Sequence, residues 1–285
     1  MSNLQLSLQH LFDRGTATPC VARTVPQTHA LARAFFLDET TMQVLMEFSY
    51  EVMRHLIGCA DIGERIRSEV REGRRRIAAG EVKIQAGGQV AELPSLGALE
   101  NDVETFLYKA KLALRDTGGL FKPLLDQHFE HKYHKARAWS AQEFGPDAPL
   151  TQLLDAHAGW IKRVLDLRNA VEHPNTAGRL HVRDFHLAIE DERKVVAPPV
   201  WWVDEEQPSS IAEDMEAIER NLLTFYEELL CVLLETRLET RPHPLSRSFP
   251  PVICEIPDKE RDRAMPMRLR VVYGNVLGPG ATEST

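Results

Sequence analysis

The segment Leu167–Pro174, LRNAVEHP, places an arginine, an asparagine and a histidine within six residues, where an apolar helical pattern ends. On a helical wheel Leu150, Leu153, Leu154, Ile161, Val164 and Val171 form one stripe at spacings of three and four. Arg168 and His157 fall inside that stripe. Burying an unpaired guanidinium is very costly. Arg168 therefore either meets a carboxylate or faces a cleft where the stripe leaves the core. Asn169 and His173 are four apart and project on one side. Pro174 disfavours helical geometry at His173, so the ring lies at or past the helix end and can turn toward Arg168.

The chemistry follows from those types. The negative end of a helix dipole stabilises protonated imidazole, and a histidine there serves as acid or base near neutral pH. An arginine beside it holds a phosphate through parallel hydrogen bonds. Together they meet two needs of metal-free RNA cleavage. One is proton transfer at the 2′-hydroxyl or the leaving 5′-oxygen; the other is charge stabilisation as phosphorus becomes five-coordinate. A structural alternative stays open. Arginine and histidine are favoured near helix C-termini for dipole reasons alone, and Arg168 and Glu172 form an i,i+4 pair in the poorer orientation. Asp102 and Glu104 also offer Arg168 a carboxylate if their helix packs against it.

The string RNAVEH resembles the signature of the HEPN superfamily: arginine, a polar residue that is often asparagine, a few more residues, then histidine. The resemblance implies an all-α bundle with the motif near a helix end, Arg168 and His173 as the catalytic pair, and Asn169 as the polar residue after the arginine. It implies a homodimer with two motifs lining one cleft, and a metal-independent endoribonuclease of the toxin–antitoxin, phage-defence or CRISPR kind. RNA is then the substrate, and an antitoxin or other protein a partner. Other members of the superfamily have lost activity and serve in binding or assembly. Nucleotide binding at the same cleft is a third use. The resemblance is specific over six residues and looser from Leu96 to Leu238. It says little about residues 1–95 or 242–285.

Other clusters accompany the motif. RIRSEVREGRRR concentrates Arg65, Arg67, Arg71, Arg74, Arg75 and Arg76 among Glu64, Glu69 and Glu72. Such a run is usually a solvated helix face. On a chain of net charge −8 a local basic patch stands out, so Arg71, Arg74, Arg75 and Arg76 are the candidate RNA-phosphate contacts. HFEHKYH spaces His128, His131 and His134 by three on a predicted helix. Lys132, Lys135 and Arg137 would repel a cation, so a basic face with Tyr133 and Trp139 is the better reading and no metal site is expected. Trp201 and Trp202 beside two prolines read as core or edge packing, with a stacking platform or protein interface as alternatives. No P-loop, dinucleotide fingerprint or nucleophile elbow occurs, and no cofactor is expected.

The elements that must position these groups read as mainly α: a HEPN-like helical bundle with one or two inserted β-hairpins. With 285 residues, 43% hydrophobic and 27% charged, the chain has the composition of a globular protein with a sizeable core. Residues 1–27 read as a loosely ordered segment, 28–95 as N-terminal helices and a hairpin, 96–241 as the helical core with a hairpin near 179–203, and 242–285 as an extension with short strands and a flexible tail. One compact domain is favoured. Thr28 is a candidate cap for a helix running to Gly58, which DETT (Asp38–Thr41) interrupts or not. A separate basic helix follows over Ala60–Gly80, then a hairpin over Glu81–Leu93 turning at Gly87-Gly88. Helices are predicted over Ser95–Asp116, Leu120–Trp139 and from about Leu150 into the motif, then two strands with a turn at EDERK. Ile211, Met215, Ile218, Leu222, Phe225, Leu229 and Val232 give a 3.5-residue repeat over Pro208–Leu238. Four cysteines without a CxxC pair suit a reducing compartment, and neither a signal peptide nor a membrane span is seen, so a cytoplasmic location is expected.

Overall fold

The fold is known from a computed structural model, which describes residues 14–82, 93–190 and 193–274. It is mostly helical. The first helices are α1, Pro19–Ala22, and α2, Val25–Ala34. Helix therefore begins ahead of the expected Thr28 cap. Thr24 is the N-cap, Pro26 sits in the first turn where its missing N–H costs nothing, and Thr28 is buried with its hydroxyl 2.6 Å from that of Tyr226. Part of the segment read as loosely ordered is thus tied into the core. The α2 C-terminus is closed by the Leu37 N–H donating to the Ala32 carbonyl at 3.3 Å, with Phe36 in the left-handed region at φ 58°.

DETT is a helix start. Asp38 accepts from the Thr41 N–H at 2.8 Å and caps α3, Glu39–Ala78. Those 40 residues form one helix where two were expected. Gly58 suggested a boundary, but Val52, Leu56, Cys59, Ile62, Ile66 and Val70 keep helical spacing through it and are all buried. Continuous burial outweighs one glycine. The hairpin expected over Glu81–Leu93 lies mainly outside the described residues.

α4 spans Leu99–Gly118 and packs along α3. The single helix expected over Leu120–Trp139 is instead α5, Phe121–Leu125, and α6, Tyr133–Glu143. Asp126 and Glu130 adopt left-handed conformations, φ 59° and 50°, which a helix cannot absorb. His128 and His131 consequently lie in the connecting loop and only His134 is helical, so the expected three-histidine face does not form. α7, Pro149–Glu172, carries the motif, with Pro149 in its first turn.

After α7, strands β1 (Leu180–Arg183), β4 (Val200–Val203) and β5 (Ser209–Ser210) make one antiparallel sheet in that order. Nested between β1 and β4 is the hairpin of β2 (His186–Glu190) and β3 (Arg193–Ala197). Four strands stand where two were read, because the chain leaves one sheet at Asp184-Phe185 and re-enters it after Pro198-Pro199. β6 (Pro251–Glu255) pairs with β7 (Leu269–Tyr273).

The last helix, α8, runs Ile211–Thr240. It is more than a coiled-coil seam. Leu223, Tyr226, Leu230 and Leu233 are buried beside the 3.5-repeat positions, so α8 is surrounded on several sides. Its Glu227 is fully buried and receives Arg23, Gln27 and Arg268, which ties α2 and β7 to α8. No helix among the described residues is long and apolar enough to cross a membrane.

Candidate active site

α7 buries most of the expected stripe, with Leu153 and Val171 only half-buried. Leu150, Leu154, Ile161 and Val164 are buried against the core, together with Leu167 and Ala170. Arg168 lies at the edge of that stripe, its side chain only 11% exposed. Its Nη2 is 2.6 Å from Glu172 Oε1, one turn on. Glu172 is the i,i+4 partner that the spacing offered; Asp102 and Glu104 do not take that role, and Asp102 is held by Arg65 of α3. The guanidinium carbon lies 5.5 Å from the centre of the Tyr108 ring, a cation–π distance. Nε and Nη1 of Arg168 are buried and have no hydrogen-bond partner among the described residues.

Glu172 is the hub. Its other oxygen accepts from Lys111 Nζ at 2.8 Å. The Lys111 hydrogen bond holds the Glu172 carboxyl below the usual glutamate range against the opposing effect of burial, and the charges of Arg168 and His173 act the same way as Lys111. Arg168, Lys111 and His173 therefore converge electrostatically on one carboxylate.

His173 is the C-cap of α7, with φ −134° and ψ 59°. Its N–H donates to the Asn169 carbonyl at 2.7 Å, and its own carbonyl accepts from Thr176 and Ala177. The residue is exposed, and its ring makes no hydrogen bond among the described residues. Asn169 is half-buried, and its side chain likewise has no hydrogen-bond partner there. His157, also on the stripe, is committed elsewhere. Its Nδ1 accepts from Trp160 Nε1 at 2.9 Å and its Nε2 faces Glu228 at 2.8 Å.

Tyr108, Lys111 and Arg115 share one face of α4 at spacings of three and four. Burial, then the charge of Lys111, lowers the His131 pKa, with Lys132 and Arg115 acting the same way, so the loop after α5 sets a neutral-leaning imidazole beside this face. A cleft of about 240 Å³ opens beside the motif between α4, the end of α7 and β1. Glu100, Glu104, Val171, Pro174 and Arg179 are among its lining residues, and Arg168 and His173 lie outside it.

The arginine run on α3 is largely neutralised. Arg71 pairs with Glu64, Arg75 with Glu72 and Arg76 with Glu81, and Arg67 reaches Glu219 of α8. Arg74 has no ion-pair partner among the described residues. Trp201 is buried and donates to Asp214 at 2.6 Å, so it packs in the core. Trp202 is flanked by the stacked His181 ring, 5.1 Å away, and by the Arg183 guanidinium, 4.9 Å away.

No protein-family model, curated protein or solved structure matches the chain.

Proposed function

We propose that the chain is a HEPN-type, metal-independent endoribonuclease in which His173 transfers protons and Arg168 stabilises phosphate charge. The observation that carries this reading is the state of Arg168: a nearly buried guanidinium with two nitrogens left unpartnered, at the same helix end as an exposed histidine. A buried donor without an acceptor costs about 1–3 kcal/mol, more when charged. A site that bears such a cost suits an incoming anion. The phosphodiester takes Nε and Nη1 of Arg168 once the side chain turns out of the surface that buries them. His173, exposed and unbonded, reaches the 2′-hydroxyl or the leaving 5′-oxygen. Lys111, paired with Glu172, and Arg115, paired with Asp116, line α4 beside the motif, and Asn169 offers an amide to orient the substrate. Following the same resemblance, two copies bring two motifs to one groove, and a toxin or phage-defence role fits such an enzyme.

The test is labelled single-stranded RNA in EDTA with the wild type and Arg168→Ala. Cleavage that falls about 10²-fold or more in the variant supports the proposal. Equal cleavage by both overturns it.

A second reading rests on a different observation. Glu172 already neutralises one arm of Arg168 and all of Lys111. A binding or assembly module without catalysis would keep that network intact. Stable RNA or protein binding by the wild type, without cleavage, favours this reading.

A further inference from the structure

Away from the motif, the molecule holds a second polar cluster that the proposed cleavage does not use. Glu51 and His55 lie one turn apart on α3, and Asp116 comes from the end of α4. His55 is 2% exposed, yet neither Nδ1 nor Nε2 has a hydrogen-bond partner. Its Nε2 lies 3.3 Å from Asp116 Oδ2 and 3.8 Å from Glu51 Oε2. The three candidate ligand atoms all fall within 4.8 Å of one another.

We propose that Glu51, His55 and Asp116 bind a divalent transition ion of zinc's size. A buried imidazole that lies 3.3 Å and 3.8 Å from two carboxylate oxygens, with neither nitrogen in a well-aligned hydrogen bond, is an incomplete polar group. Ligands about 2.1 Å from a tetrahedral ion stand about 3.4 Å apart, which matches the 3.3 Å from Nε2 to Asp116 and asks the half-exposed Glu51 carboxylate, at 3.8 Å, to move inward. One ion among the three atoms satisfies the imidazole and both carboxylates. A set of one imidazole and two carboxylates suits zinc or manganese rather than a soft thiolate metal. Both carboxylates are already held by guanidinium groups, Glu51 at Oε2 and Asp116 at both oxygens. Arg54 donates to Glu51, and Arg115 donates to Asp116 from Nε at 2.8 Å and Nη2 at 3.1 Å. Such an outer layer fixes ligand direction. The two guanidinium charges also oppose a dication, so the affinity expected is micromolar rather than the much tighter binding of an all-cysteine site.

The ion braces α3 against the α4 turn that follows Lys111. It takes no part in the proposed RNA chemistry, and the inference stands or falls separately from that reading.

The test is titration of the chelator-stripped full chain with zinc, by calorimetry and by thermal melting. The expected result is one zinc per chain and a rise of a few degrees in Tm at saturation. Glu51→Gln and His55→Ala should each weaken binding at least about tenfold. Glu51 is 39% exposed, so its variant carries the test even where loss of His55 impairs folding. A triple alanine variant of His128, His131 and His134 should retain the site. Absence of a zinc-dependent Tm rise in the wild type overturns the proposal. So does zinc binding that survives Glu51→Gln unchanged or disappears in the triple variant.

Discussion

Arg168 Nη2 and Glu172 Oε1 are 2.6 Å apart across one helical turn, and that single contact leaves Nε and Nη1 of the same guanidinium buried without partners. The arginine is held in place and still incomplete. Lys111 grips the other Glu172 oxygen, so the carboxylate is shared between α4 and α7. In the proposed enzyme, Glu172 fixes Arg168 and also competes with phosphate for it.

Glu172→Gln keeps the length of the side chain and removes its charge. Its expected effect is tighter RNA binding at low salt, by about three- to tenfold, since a like charge a few ångströms from the phosphate is gone. Fluorescence anisotropy with a labelled oligoribonucleotide measures it. Unchanged or weaker affinity would show that Glu172 does not compete.

The same variant has a pH signature. Lys111 foremost, then the charges of Arg168 and His173, lower the folded-state pKa of Glu172 against its burial. A lowered carboxyl pKa gives stability that is present above the unfolded value and lost as pH falls through the folded one. The wild type should therefore melt above Glu172→Gln at pH 7, with the gap closing between about pH 5 and pH 3. A gap that stays constant through that range would mean that the contact does not act through charge.

What could be read from the chain follows from what is local. The apolar stripes of α4, α7 and α8 are periodic, and most of their expected positions are buried; Leu153, Val171 and Val232 are only half-buried, and α7 and α8 also bury residues beside the stripe. The end of α7 at the motif follows from Pro174. The partner of Arg168 is legible as the i,i+4 pair with Glu172; the alternatives Asp102 and Glu104 depend on how two helices cross, and Arg65 of α3 holds Asp102. The three histidines share a spacing, but left-handed turns at Asp126 and Glu130 carry two of them off the helix. Tyr108 and Lys111 left a usable trace, their shared face with Arg115 on α4. His55 left none, since a histidine on an apolar stripe looks the same whether or not its ring finds a partner.

Glu227 should be a structural linchpin. It is fully buried and accepts from Arg23 Nε at 2.9 Å, Gln27 at 2.8 Å and Arg268 at 3.0 Å. Removing one member of a buried ion pair strands the others. Glu227→Gln should cost about 3–5 kcal/mol in urea unfolding. A cost under about 1 kcal/mol would show that water or rearrangement satisfies the two arginines.

Gly118 ends α4 where the loop of His131 crosses it. A Cβ there would lie 1.8 Å from the Glu130 carbonyl oxygen, which is backbone and cannot swing aside. Gly118→Ala should lose about 2–4 kcal/mol of stability. Wild-type stability in that variant would mean that the loop shifts freely.

The most direct measurement is the initial rate of RNA cleavage in EDTA by the wild type and by His173→Ala, with the product ends identified. Attack by the 2′-oxygen and departure of the 5′-oxygen should leave 2′,3′-cyclic phosphate and 5′-hydroxyl ends. The variant should bind RNA normally and cleave about 10²-fold more slowly or worse. Equal rates for the two proteins, or RNA bound by the wild type and left uncut, would contradict the account.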